Sequence, residues 1–419
     1  MRVLISGAGI AGPSLAWFLA KTGARVTIVE KSPALFPHGQ NVDIQGSARK
    51  VIKKMGLMDQ VLRFNTTEKG TQLIDPNGRP FAPFPVREGS DASPTSQYEI
   101  LRGDLAAILY EATKNHPNVT YLFDTTVQKV ISNDDNVVTV ELSNGEVQDS
   151  DLLVAADGQW SKVRKQCFPP ESINVVDIGA NVVYWTIPRI PTDNDWWNVY
   201  QALGSRVITL RPDPHNTIRA TFTAMPSTEA QKKAWMDAAR GGRQLQEELL
   251  KKEFADAGWQ TQRLLDSMGQ ADDYYFQIVQ QIKMSKWSSS RVVCLGDAGY
   301  APTPFTGMGT SLAITGAYVL AGELSKLDPG EHPSKALDAY ESKFRPFVEE
   351  TQKIPSFFPA FVHPGTAWKR WLSQTLISAM SKVVANPWLA NKLHSSNDDD
   401  FVLPQYSSFD DGADGEPRL

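Results

Sequence analysis

Three groups of residues in this chain have the types and spacing to hold a dinucleotide. The first is Gly7-Ala8-Gly9-Ile10-Ala11-Gly12, a GxGxxG turn. Glycine at its first position makes a tight turn, at its second lets backbone approach a pyrophosphate, and at its third lets a helix pack closely on a strand. The apolar run Val3-Leu4-Ile5 precedes the turn and a helical stretch beginning around Ile10 and Ala11 follows it. The free N–H groups and dipole of that helix then face the phosphates. Glu30, with Lys31 beside it, closes the next apolar run, where an acidic side chain takes ribose hydroxyls. The second group is Asp157-Gly158-Gln159-Trp160-Ser161-Lys162-Val163-Arg164, the pattern Asp-Gly-x-x-Ser-x-x-Arg at a strand end. The third is Gly296-Asp297, at the end of another strand and ahead of Pro302-Thr303-Pro304-Phe305-Thr306-Gly307-Met308-Gly309 and a helix. Arg102 heads a further helix in an Arg-x-Asp-Leu context. Taken singly, Asp157-Gly158 also reads as a turn, Asp297 as a helix cap and Arg102 as a surface charge. Taken together they stand at strand carboxyl ends and helix starts, where an α/β sheet binds ligands.

The elements that must position these residues follow from hydrophobic period and turn signals. After the opening βαβ, one helical stretch is expected over 47–64 and irregular strand and loop over 75–94. A helix starts near Arg102, with Leu105, Ile108 and Leu109 on one face. Strands are expected over 126–131, 137–142 and 146–155, with Asn144-Gly145 as a type I′ hairpin turn between the last two. Residues 181–225 are β-rich and aromatic, 227–257 helical and charged, 292–295 a buried strand, 308–324 a long apolar helix and 346–393 helical. The fold class is α/β, with a Rossmann-type nucleotide-binding unit assembled from 1–72, 95–178 and 291–345. A β-rich substrate-binding domain, 73–94 and 179–290, is inserted between its pieces. C-terminal helices (346–395) and a loose acidic tail (396–419) complete the organisation.

The chain has 419 residues and a formal net charge of −5, which argues against nucleic acid or an anionic membrane as the main partner. Its two cysteines, Cys167 and Cys294, cannot make a disulfide framework, and a reducing cytoplasmic compartment is expected. No metal spacing is present, and no run reaches the roughly 18 apolar residues of a membrane span. The apolar N-terminus contains the glycine turn itself, so it is read as part of the nucleotide site and not as a signal peptide.

With these motifs in place, the chain resembles the group A flavoprotein monooxygenases, the FAD-dependent aromatic hydroxylases of the para-hydroxybenzoate hydroxylase type. The nearest likeness is to the tetracycline-inactivating flavin monooxygenases. It is carried by Arg102-Gly103-Asp104-Leu105, by Ser161-Lys162-Val163-Arg164-Lys165 and by Asp43 within Val42-Asp43-Ile44. The resemblance implies FAD, with Gly7, Gly9 and Gly12 at the pyrophosphate, Glu30 at the adenosine ribose and Arg102 at the flavin side chain or phosphates. It further implies Asp297 at a ribityl hydroxyl, Asp43 near the isoalloxazine, and Asp157 and Arg164 serving both FAD and NADPH (or NADH). A helix beginning at Gly307-Met308-Gly309 would set N–H groups against the electron-rich edge of the reduced ring. The implied activity inserts one oxygen atom from O2 into a small aromatic or polycyclic substrate through a flavin hydroperoxide, in an enzyme expected to be a monomer. The chain departs from the pattern where Gly299-Tyr300 replaces Ala-His and Met308 replaces glutamine. An arginine upstream of Asp43 is also missing, with His38 and Arg49 as candidate replacements.

The inserted sheet should roof the flavin. Gln201, Arg206, Arg211, His215 and Phe222 are therefore candidate substrate contacts, with Pro304 and Phe305 close to the ring. His215, in a Pro-Asp-Pro-His-Asn turn, reads more simply as a solvated loop residue. Tyr200 and Tyr300 are the candidate acid–base residues. Two other readings share the fold. A flavin-dependent halogenase would use Trp185-Thr186-Ile187-Pro188 and a lysine such as Lys69; a flavin oxidoreductase or desaturase would leave oxygen out of the product. A non-catalytic escort protein of the GDP-dissociation-inhibitor kind would have lost the flavin-contact motifs, which stand here.

Overall fold

The computed structural model describes residues 1–35, 39–87, 93–385 and 401–409. His38 lies outside them. Two large sheets dominate. The first runs in the order β17 (Ser288–Ser289), β18 (Val292–Cys294), β11 (Leu152–Ala155), β1 (Arg2–Ser6), β2 (Arg25–Val29), β7 (Val119–Leu122). All its pairings are parallel except β17 with β18. Val3, Leu4 and Ile5 of β1, all of β11 and all of β18 are buried, as expected of parallel strands covered on both faces. Helix α1 (Ala11–Lys21) packs on β2 of this sheet and against α10 (Gly309–Leu324). A three-stranded antiparallel sheet, β8 (Val127–Asn133), β9 (Val138–Leu142) and β10 (Val147–Ser150), lies alongside.

Two expected elements are divided. The single strand over 146–155 is β10 and β11, in different sheets, because Asp151 between them is tied elsewhere. Its carboxylate accepts the Arg2 backbone N–H at 2.7 Å and the Arg2 guanidinium at 2.8 Å, clamping the starts of β1 and β11 together. The single helix over 47–64 is α2 (Ser47–Lys54) and α3 (Met58–Arg63), parted where Gly56 takes φ +71°.

The second sheet runs β16 (Tyr275–Met284), β12 (Ile173–Pro188), β15 (Thr217–Ala224), β14 (Arg206–Pro212), β13 (Trp197–Ala202), β4 (Gly70–Ile74), β5 (Pro80–Pro85). It is antiparallel apart from β13 with β4. A strand's side chains alternate between faces. Val183, Trp185, Tyr200, Phe222 and Leu210 point to α6 (Glu229–Gly241), α7 (Arg243–Phe254) and α8 (Thr261–Ser267), where they form a separate apolar core with Trp235, Phe254 and Leu264. The opposite face carries Tyr184, Thr186, Gln201, Arg211, Arg219 and Thr223 and looks toward the nucleotide fold. A short ladder of β3 (Asn41–Asp43) with β6 (Glu99–Leu101) sits between the two sheets and leads into α4 (Arg102–Glu111). Helices α5 (Lys162–Cys167) and α9 (Asp297–Tyr300) follow β11 and β18, and α11 (Ser334–Thr351), α12 (Phe358–Val362) and α13 (Ala367–Ala385) end the helical part.

The expectation of a loose tail fails for its described part. Phe401, Tyr406 and Phe409 are buried in the first core. The Tyr406 hydroxyl donates to Glu323 at 2.7 Å, and its ring lies where a side chain on Gly322 would be, 2.2 Å from the position of a Cβ. Acidic composition hid three aromatics: Tyr406 packs on Gly322 of α10, Phe401 on Phe344 and Phe347 of α11, and Phe409 on Phe18 of α1 and Tyr318 of α10.

Candidate active site

Each glycine of the opening turn is required for a different reason. Gly7 has φ +113°, and a Cβ there would lie 2.4 Å from the Ala156 carbonyl oxygen. A Cβ on Gly12 would lie 2.1 Å from the Gly7 carbonyl oxygen, so α1 could not sit on β1. Gly9 crowds nothing closer than the Arg102 guanidinium at 3.9 Å, so its face is open to a cavity of about 230 Å³. That cavity is lined by Ala8, Gly9, Glu30, Arg102, Tyr184 and Tyr275, among others. No side chain caps α1 and no acid stands in its first turn, which leaves its positive end for an anion. Glu30 braces the turn, accepting Ala8 N–H at 2.9 Å and Ser32 N–H at 3.0 Å. Lys31 is exposed beside it.

The two aspartate motifs converge through Arg164. Its guanidinium is buried and donates to the Ala298 carbonyl at 2.6 Å and the Gln159 carbonyl at 2.7 Å, locking the loop after β11 to the start of α9. A guanidinium held in this way stabilises the loops, and its buried Nε–H has no partner. Asp157 accepts Lys162 N–H at 2.9 Å through one oxygen, while its other oxygen is buried without a partner. Such an orphan acceptor is costly unless a ligand donates to it. Asp297 feels the charge of Arg102, which lines the cavity: burial raises the Asp297 pKa and the Arg102 charge works against that rise. Neither side chain has a hydrogen-bond partner among the described residues. Asp297 Oδ1 lies 3.8 Å from where a Cβ on Gly309 would be, at the first residue of α10. No side chain caps α10 either. Gly307 is left-handed at φ +65°, and Thr303, a non-glycine, is held at φ +100° with its buried hydroxyl unpartnered. Strain of this kind collects at functional loops. Asp43 accepts Ser96 Oγ at 2.6 Å, and Ser311 of α10 bonds the backbone on both sides of Ile44, so β3 is fastened to the start of α10.

These donors and acceptors fit FAD: a glycine cradle, two uncapped helix starts, a cation, and acids with unused oxygens. Residues 1–353 match the family described as the FAD binding domain. The chain is 37% identical over 392 residues to Monooxygenase CTB7 of Cercospora beticola, covering 91% of this chain and 92% of that one. The chain is a member of the FAD-dependent monooxygenases. A second relative, FAD-dependent monooxygenase asL6 of Sarocladium schorii, is 34% identical, with 85% of this chain and 87% of that protein covered. Among solved structures, tetracycline destructase Tet(55) superimposes with a TM-score of 0.76 at 26% identity, covering 96% of this chain and 98% of that one. The monooxygenase thus belongs with the group A flavin enzymes, and tetracycline destructases are among its structural neighbours.

The substrate side corrects several expectations. Phe222 is buried on the helix side of the sheet, stacked on Phe254 at 4.2 Å. Arg206 points the same way, paired with Asp256 at 2.6 Å. The Tyr200 hydroxyl donates to Ala257 O at 2.9 Å in that same core. Tyr300 is buried against Trp287 and hydrogen-bonds Tyr340 at 2.9 Å. None of these four reaches the cavity. A strand reverses faces every residue, so a one-residue choice decides orientation. Gln201 is on the face opposite the helical core and donates to Val362 O at 3.0 Å and to Ser373 Oγ at 3.2 Å. His215 meets Asp104 at 2.9 Å, joining the β14–β15 turn to α4. Pro304 is exposed, and Phe305 stands edge-on to His363 with ring centroids 6.0 Å apart.

Contacts not anticipated from sequence complete the site, among them the partners of Arg211, which was expected at the substrate. Tyr184 and Tyr275, neighbours across β12 and β16 with centroids 5.0 Å apart, line the cavity near Arg102. Arg211 makes two bonds to Glu68, at 2.8 and 2.7 Å, and a third to Glu99 at 2.7 Å, while its guanidinium covers the Trp197 ring at 4.0 Å. One guanidinium cannot neutralise two buried carboxylates, and burial pushes the Glu99 pKa up to about 8. Burial lowers the His363 pKa to about 4, and its Nδ1–H donates to Pro359 O, so neutral Nε2 accepts from Thr223 at 2.7 Å. Partners 91 to 143 residues apart leave no local signal.

Proposed function

We propose that this monooxygenase inserts one oxygen atom of O2 into an aromatic or polycyclic small molecule, using NADPH or NADH as reductant and acting as a cytoplasmic monomer. The observation that carries the reading is the pairing of a cradle that fits FAD with the polar and aromatic face of the second sheet directly opposite. FAD, when bound, would supply the electron transfer from reduced pyridine nucleotide to dioxygen. The chain's own residues then have separate tasks. Gly9 and the start of α1 would receive the pyrophosphate, and Arg102 would neutralise it. Asp297 and the free oxygen of Asp157 would accept hydroxyl protons. The N–H groups at the start of α10 would stabilise negative charge on a ring placed above them. Tyr184 and Tyr275 would shut water from that end of the cleft, and the unpartnered oxygen of Gln201 would be the polar group left for a substrate.

Tet(55) and a second tetracycline destructase, Tet(51), with a TM-score of 0.75 at 27% identity, support placing tetracyclines among the compounds to try first. The halogenase reading gains nothing: Trp185 is buried on the helix side with its indole N–H on Ser267, and Lys69 is paired with Asp195 at 3.0 Å. The test is anaerobic rapid mixing of the FAD-loaded enzyme with NADPH or NADH across phenolic and polycyclic compounds, followed by turnover in isotopically labelled dioxygen. A substrate should speed flavin reduction and carry one labelled oxygen in its product. Label found only in hydrogen peroxide or water would defeat the proposal and favour an oxidase or desaturase.

A further inference from the structure

Helix α13 is inside out. Its buried side chains are two serines, Ser373 and Ser381. Ser373 donates to Phe361 O at 2.9 Å and Ser381 to Pro83 O at 2.7 Å, so polar contacts fasten the helix to α12 and to edge strand β5. Its large apolar side chains point the other way: Trp368 (62% exposed), Trp371 (66%), Leu372, Leu376, Met380 (58%) and Val383. At 100° per residue these six fall in one strip, the strip that a helix of a globular protein turns inward. An aromatic side chain carries about 150–250 Å², so the two tryptophans alone expose roughly 300 Å². That already matches the whole of the largest apolar patch on many monomers, about 300–600 Å².

Charge identifies what covers the strip. Helix α13 itself carries three basic residues, Lys369, Arg370 and Lys382, and no aspartate or glutamate. At the chain's overall frequency of 47 acidic residues in 419, a helix of 19 residues would hold about two. The net charge of −5 therefore conceals a local excess of positive charge beside an exposed apolar strip. Two tryptophans near one end, aliphatic residues along the strip and lysines at its margins are the layout of a helix lying in a membrane interface. A second copy is a poorer fit, because a two-fold contact would set this basic, acid-free helix against itself. No helix among the described residues is long and apolar enough to cross a membrane, so the helix would lie on the bilayer and not through it.

We propose that α13 seats the monooxygenase on an anionic lipid bilayer. Trp368 and Trp371 lie at the headgroup level, Leu376, Met380 and Val383 reach the acyl chains, and Lys369 and Lys382 meet anionic headgroups. The test is co-sedimentation of the full-length, FAD-loaded protein with vesicles of phosphatidylcholine alone or with about 30 mol % phosphatidylserine. The protein should pellet with the anionic vesicles and less so as salt is raised. The paired variant Trp368→Ser/Trp371→Ser should abolish pelleting, and Lys369→Gln/Lys382→Gln should weaken it by roughly fivefold per charge removed. All four positions are solvent-exposed, so FAD content and melting temperature should stay at wild-type values in both variants. Because the readout is binding to lipid, it stands apart from whether any compound is turned over. Failure to pellet with either vesicle, equal pelleting with both, or pelleting undiminished by the serine variant would overturn the proposal. So would a concentration-dependent dimer, seen by analytical ultracentrifugation, that the serine variant dissolves.

Discussion

Replacing Glu99 with glutamine should leave the enzyme stable and change how that stability depends on pH. Glu99 is 3% exposed, shares Arg211 with Glu68, and has its pKa pushed from 4.5 up to about 8. Above pH 4.5 the unfolded chain has released this proton, while the folded chain keeps it until about pH 8. The folded state thus binds more protons, and stability falls as pH rises through that window, by up to about 1.4 kcal/mol per unit. His363 works in the opposite sense. Its folded pKa is lowered from 6.5 to about 4, so between those values the unfolded chain binds more protons and stability rises with pH. The two slopes oppose each other from pH 4.5 to 6.5, and from 6.5 to 8 Glu99 acts without His363. Wild type should therefore lose about 2 kcal/mol between pH 6.5 and 8 relative to Glu99→Gln, as read from urea unfolding midpoints of the two proteins side by side. Glutamine keeps an oxygen for Arg211 and an amide group toward Thr95, the hydroxyl that donates to Glu99 Oε2 at 3.3 Å. Arg211→Met, by contrast, strands the buried Glu68 carboxylate and should cost about 3–5 kcal/mol. Parallel pH profiles for wild type and Glu99→Gln, or a loss at pH 6.5 as large as that of Arg211→Met, would show that Glu99 is ionised and the reasoning wrong.

Three other perturbations separate packing from ligand roles. Gly12→Ala places a methyl 2.1 Å from the Gly7 carbonyl oxygen and should abolish FAD retention; Gly23→Ala, at φ +80° with nothing within 4 Å, should cost only about 1 kcal/mol and keep FAD. Phe222→Ala should lower stability by about 3–5 kcal/mol, with KM for a substrate unchanged in the folded fraction; a raised KM would return Phe222 to the substrate site. Arg102→Ala should weaken FAD binding roughly tenfold to a hundredfold, the value of a hydrogen bond to a charged group, while thermal unfolding of the FAD-free protein stays near wild type. Unchanged affinity in that variant would remove Arg102 from the cofactor site.

The cofactor side of the molecule was legible because its signals are local. A glycine turn, Asp157-Gly158 and Gly296-Asp297 each sit within a few residues of the apolar strand that presents them, and strand ends of a parallel sheet converge by construction. Arg164 adds a contact that its motif does not announce: its two terminal nitrogens donate to carbonyls inside the protein, while Nε has no partner. The substrate side was misread where a residue's face mattered. Phe222 and Thr223 are adjacent in sequence, but one packs on Phe254 and the other reaches His363. Tyr184 with Tyr275 and Arg211 with Glu68 and Glu99 are products of long-range pairing that no short pattern announces. The period of α13 is visible in sequence; that its apolar strip points outward is decided by Ser373 and Ser381, whose partners lie on α12 and β5.

The central claim is that FAD lies with its ribityl chain at Asp297 and its ring over the start of α10. The most direct measurement is titration of FAD into the FAD-free Asp297→Ala protein, followed by flavin fluorescence. Because no described group hydrogen-bonds that carboxylate, the fold should be undisturbed, and the dissociation constant should rise at least about tenfold. FAD bound as tightly as by wild type would contradict the account.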